Sequence, residues 1–131
     1  MGHLKICKLI SENIENKNPA DKNGFTPLHY AAEVGSLSVF TYIMENIKET
    51  MPKNFYGNTP FHVAVLNGHL NVCQFIIESD MEKNPRNEDG DVPLHMAAME
   101  GHLVICKYII EHGGDKNPCN DVGNTPLHWA A

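Results

Sequence analysis

The chain has 131 residues, 42% of them hydrophobic, which is enough to bury the core of one compact unit and unlike a disordered or fibrous polypeptide. Sixteen acidic residues against ten basic ones leave a formal charge of −6, a balance that disfavours phosphate backbones and anionic lipid surfaces. No apolar run approaches the roughly 20 residues that span a bilayer, and charges interrupt the N-terminal stretch, so we expect a cytoplasmic or nuclear protein with no nucleic-acid partner and no membrane insertion.

In chain order, the first predicted element lies in residues 1–20, where Leu4, Ile6, Cys7, Leu9 and Ile10 form an apolar helical pattern behind Gly2 and His3. A turn rich in Asn and Gly follows. Thr26-Pro27-Leu28-His29 then opens a short helix: the Thr hydroxyl can accept from orphan backbone N–H groups, and proline fits the first helical position, where its missing donor costs nothing. His29 stands at the third helical position, where a capping box would place Glu, and its imidazole can make the reciprocal bond. Gly35 suits a left-handed helix end, and the small pair Ala31-Ala32 lets neighbouring helices approach closely.

The same order of signals then returns. Thr59-Pro60-Phe61-His62, Val92-Pro93-Leu94-His95 and Thr125-Pro126-Leu127-His128 each begin 33 residues after the last. Gly2, Gly35, Gly68 and Gly101 keep that step, as do Pro19, Pro52, Pro85 and Pro118, and Gly24, Gly57, Gly90 and Gly123. A fixed period without insertions predicts a solenoid in which each unit packs only on its neighbours. Each second helix is apolar on several faces, as in Leu70, Val72, Cys73, Phe75, Ile76 and Ile77, and stacking would cover those faces. Between units, segments such as 83–90 hold Asn, Pro and Gly at turn positions and are expected to project as fingers.

The Thr-Pro-Leu-His tetrapeptide with following alanines, the Gly-His link and the Leu-rich second helix resemble the ankyrin repeat family over essentially the whole chain. The resemblance implies an all-α solenoid of helix-turn-helix units with projecting hairpin-like fingers. Residues 21–53, 54–86 and 87–119 would be full repeats of one domain, and 1–20 and 120–131 partial ones. Departures are Val92 for the capping Thr, Ser36 for His, Val65 for the second Ala and Met51 for a turn Asn. With no hydroxyl at Val92, that cap is expected to be weaker by about 1 kcal/mol unless something compensates.

Catalytic and metal chemistry find little support, and no cofactor is expected. His29, His62, His95 and His128 are assigned to helix capping together with Thr26, Thr59 and Thr125, and Gly35, Gly68 and Gly101 to the helix links. His3, His69 and His102 each precede a cysteine by four residues, a two-ligand spacing, but two ligands do not close a site. Cys7, Cys73 and Cys106 recur at one apolar position and read as reduced core thiols; Cys119 alone falls in a finger. No phosphate-cradling loop or paired-carboxylate motif is present, so a non-enzymatic chain is expected.

The positions left free by the repeat carry the functional expectation. The resemblance implies that finger tips and the exposed side of each first helix line a concave groove for a protein or peptide partner. At matching positions stand Phe25 and Glu33, then Phe55, Tyr56 and Leu66, then Glu88, Asp89, Asp91, Met99 and Glu100. The aromatics suit interface anchors, and the carboxylates suit a basic partner. Two further roles are expected alternatives: head-to-tail self-association through the incomplete terminal repeats, and regulation of another domain in a longer protein.

Overall fold

The computed structural model describes residues 20–47, 51–79, 81 and 83–112, with the side chains of 46 and 47 left aside. Residue 20 apart, the partial repeats expected at 1–20 and 120–131, with Thr125 and His128, lie outside the described residues, as do Cys7 and Cys119. Six helices and no strand are found among the described residues. They alternate short and longer: α1 (Pro27–Val34), α2 (Leu37–Ile47), α3 (Pro60–Leu66), α4 (Leu70–Glu78), α5 (Pro93–Glu100) and α6 (Leu103–His112).

The short helices form one layer, α1 on α3 and α3 on α5, and the longer ones a second, α2 on α4 and α4 on α6; each short helix also packs on the long helix that follows it. The layers share one core. Leu28, Phe40, Phe61, Val72, Ile76, Leu94, Ile105 and Ile109 are buried in it, and Ala31, Ala32, Ala64 and Ala97 are fully enclosed where the short helices meet. Phe40 of α2 meets Phe75 of α4 edge to face, with centroids 6.0 Å apart, a favoured aromatic geometry that ties successive long helices.

Helix starts follow the expected capping, with one variation. The backbone N–H of Thr26 donates to His29 Nδ1 at 3.1 Å, and the N–H of His29 returns to the Thr26 hydroxyl at 3.4 Å. Thr59 and His62 repeat both bonds at the same lengths. At α5 only half of this box survives, the N–H of Val92 donating to His95 Nδ1 at 3.1 Å, because valine has no acceptor. The expected weakness is offset in two ways: the N–H of His95 turns instead to the Val92 carbonyl at 3.0 Å, and the Val92 methyls are buried in the core.

Between α1 and α2 the chain passes through Gly35 at φ 80°, in the left-handed region, with its N–H bonded to the Ala31 carbonyl at 3.0 Å. A Cβ built there would lie 2.4 Å from Nδ1 of His69, whose ring packs over this turn from the next repeat. The corresponding Gly101, at φ 74°, has nothing within 4 Å of such a Cβ among the described residues. Gly101→Ala is therefore expected to cost only the left-handed strain, about 1 kcal/mol. Gly35→Ala should cost more, roughly 2–4 kcal/mol, because it also displaces the His69 ring. Urea unfolding of the two variants compares them directly, and equal losses would show that the ring moves aside freely.

Candidate protein-binding surface

Among the described residues three fingers are built on one plan. Asp21, Asn54 and Asn87 begin them, and each side-chain Oδ1 accepts backbone N–H groups from two and four residues ahead: Asn23 and Phe25 at 2.9 and 3.0 Å, Tyr56 and Asn58 at 2.9 and 3.0 Å, and Asp89 and Asp91 at 2.9 and 3.0 Å. The backbone closes the same loop, from Asp21 N–H to the Phe25 carbonyl and equivalently in the other two. A short polar side chain that satisfies its own turn in this way makes a rigid finger without long strands. Sequence reasoning missed this role; the signal was an Asp or Asn three residues before each finger glycine.

Neighbouring fingers are joined main chain to main chain. Phe55 N–H donates to the Asn23 carbonyl at 3.1 Å, and Glu88 N–H to the Tyr56 carbonyl at 3.1 Å. The second finger is thus held on both sides. On it Phe55 and Tyr56 remain 66% and 59% exposed, unusual for aromatics on a braced segment. Leu66 and Met99, at the ends of α3 and α5, are also exposed, as are Glu33, Glu88, Asp89 and Glu100. Asp91 is half-buried.

Phe25 differs from the exposed anchor that its position suggested. It is half-buried, with its ring 5.4 Å from the ring of His29 and 5.4 Å from that of Tyr30, so it supports the first finger from beneath. The Tyr30 hydroxyl donates to the Asp21 carboxylate, and burial first, then that bond, raise the phenol above its ordinary pKa. Phe25 also explains an orphan. Asn87 Nδ2 donates to Asn58 Oδ1 at 3.0 Å, but Phe25 stands at the position of Asn58 one repeat earlier, and Asn54 Nδ2 is buried without a partner.

The capping histidines reach further than the sequence suggested. Because Nδ1 accepts from the backbone, each ring is the neutral tautomer whose Nε2–H donates. His29 gives it to the Asn58 carbonyl and His62 to the Asp91 carbonyl, both at 2.8 Å and both 29 residues ahead in the next finger. Burial lowers the pKa of His29 and holds His62 at about 4. The link histidines bond backwards: His69 Nε2 meets the Glu33 carbonyl at 2.8 Å and His102 Nε2 that of Leu66 at 3.3 Å, each 36 residues earlier. These rings are committed to main-chain carbonyls.

Cys73 is fully buried, and burial pushes its thiol up to about 12, while Cys106 is half-buried and its thiol is also raised. Both are free thiols, unsuited to nucleophilic work. Among the described residues no three His, Cys, Asp or Glu side chains converge as metal ligands, and no helix is long and apolar enough to cross a membrane.

Stacked helix pairs with braced fingers at a constant step define a repeat-solenoid protein, and comparison with known sequences names the class. The family model described as ankyrin repeats (3 copies) matches residues 1–87 and again 78–131, and the chain belongs to the ankyrin repeat family. It is similar to an ankyrin repeat protein of fowlpox virus (strain NVSL), 45% identical over 38 residues, a stretch that is 29% of this chain and 27% of that relative. Ankyrin repeats are in general modules of protein–protein interaction.

Proposed function

We propose that this chain is a non-enzymatic scaffold or adaptor that binds a protein or peptide of basic character on the surface formed by its finger tips and short helices. The observation that carries the reading is the pair Phe55 and Tyr56, exposed on a finger fixed from both sides. Rigid, exposed aromatics bind at low entropic cost and are frequent hot spots. Leu66 and Met99 extend the apolar surface, and Glu88, Asp89 and Glu100 favour Lys or Arg on the partner. The free thiols, Cys73 buried and Cys106 half-buried, support a reducing compartment, cytoplasm or nucleus. Affinity capture from cell extract with the chain and with a folded Phe55→Ala/Tyr56→Ala variant tests the reading.

A second reading has its own observation. On α6, Leu103 is 77% and Ile110 41% exposed, whereas the equivalent Leu70 of α4 is partly buried and Ile77 only 3% exposed. These exposed side chains suit an apolar segment of the same chemistry, such as Leu4, Ile6, Leu9 and Ile10 of another copy, giving head-to-tail association. Sedimentation velocity should then show a concentration-dependent rise that Leu103→Lys abolishes; a constant monomer value at high concentration would exclude self-association.

A further inference from the structure

Resting on the groove reading above, we propose that the partner is held in one charge order: an apolar or aromatic side chain over the second repeat, basic side chains over the third, and no net charge requirement over the first. The bonds between fingers and the packing of α1, α3 and α5 fix the order in which the surface chemistry is displayed. The first repeat offers Lys22 and Glu33, which oppose each other in sign. The second offers Phe55, Tyr56 and Leu66, all exposed, and no charge at these positions. The third offers Glu88, Asp89 and Glu100, all exposed, beside Met99.

Among the described residues, two cations beside the third finger make bonds to the main chain. Arg86 Nη1 donates to the Gly90 carbonyl at 2.7 Å, and Lys53 Nζ to the Arg86 carbonyl at 2.9 Å. Glu88, Asp89 and Glu100 themselves are exposed and can meet an incoming cation. Packed helices stand about 8–10 Å apart, and an extended partner advances about 3.3 Å per residue. Its basic residues would lie about three positions from the anchor, on one side of it only. Because the carboxylates are exposed, their share of the affinity is screened by salt, whereas the aromatic share is not.

Selection of a random linear peptide library on the full chain tests this. Selected peptides should carry an apolar or aromatic residue with Lys or Arg on a single side. Glu88→Gln/Asp89→Gln/Glu100→Gln should weaken them roughly tenfold and flatten their salt dependence, with Glu45→Gln, an exposed carboxylate of the long helix α2, inert. Basic residues on both sides or on neither, indifference to the triple substitution, or an equal effect of Glu45→Gln would overturn the charge order while leaving the groove intact. Peptides indifferent to Phe55→Ala/Tyr56→Ala, or no selected peptide at all, would remove the groove reading and this inference together.

Discussion

Replacing His62 with alanine is expected to cost roughly 3–5 kcal/mol of folding free energy, a large part of the stability of a small domain. Its ring is fully buried and serves two repeats, accepting from Thr59 N–H and donating to the Asp91 carbonyl. Truncation leaves the Thr59 N–H without its acceptor, takes from the Asp91 carbonyl one of its two donors, the Asn87 N–H remaining, and opens a cavity beside the core. The same ring gives stability a pH dependence. Burial, the largest cause, holds the folded-state pKa at about 4 against an ordinary 6.5. The unfolded state therefore binds the extra proton first. The contribution is fully present above pH 6.5 and is lost as pH falls towards 4, on the order of 3 kcal/mol across that window. His29 is shifted in the same direction and adds to the loss. Urea unfolding at pH 7 and pH 4.5 should show the drop, and His62→Gln, which keeps a capping-box amide but does not titrate, should reduce it. An undiminished drop in that variant would place the acid sensitivity elsewhere.

The second large effect concerns binding. Phe55→Ala/Tyr56→Ala is expected to weaken partner affinity about a hundredfold or more, because two hot-spot aromatics each contribute on the order of 2 kcal/mol. The fold should hardly notice. Both side chains are mostly exposed, and the finger is held by main-chain bonds and by Asn54 Oδ1, none of which involves the aromatic rings. A thermal melt within a few degrees of the parent with loss of the captured protein is the expected result. Unchanged capture would mean that these rings are bystanders and that recognition lies on another surface.

Most of the frame was legible in the sequence because it rests on local chemistry at a fixed period. Thr26-Pro27-Leu28-His29 carries its own helix start, and the Thr–His reciprocity follows from position alone. What escaped was long-range. Nothing in the tetrapeptide says that His29 Nε2 ends on a carbonyl 29 residues away, since backbone acceptors have no sequence signature. Phe25 looked like a surface anchor because its position in the repeat is a finger position; its actual neighbours, Tyr30 and His29, drew it inward. Tyr30 is exchanged for Val63 and Met96 in the later repeats, so the first finger has a support that the period could not announce. Phe55 and Tyr56 stand nearer the tip, at the positions of Lys22 and Asn23 in the first finger, and both stay outside.

The histidine bonds between repeats have constant reach, 29 residues forward from the capping ring and 36 back from the link ring. A tie defined only by its offset has no memory of which copy it belongs to. If a block of 33 residues were duplicated or excised, every donor at the new seam would meet an equivalent carbonyl, whereas a gain or loss of any other length would strand several at once. Unequal recombination in whole blocks is thus nearly silent for folding, and the array can lengthen or shorten in descent while its frame persists. Variation that matters to a partner is then confined to which finger tips the surviving blocks carry and in what succession.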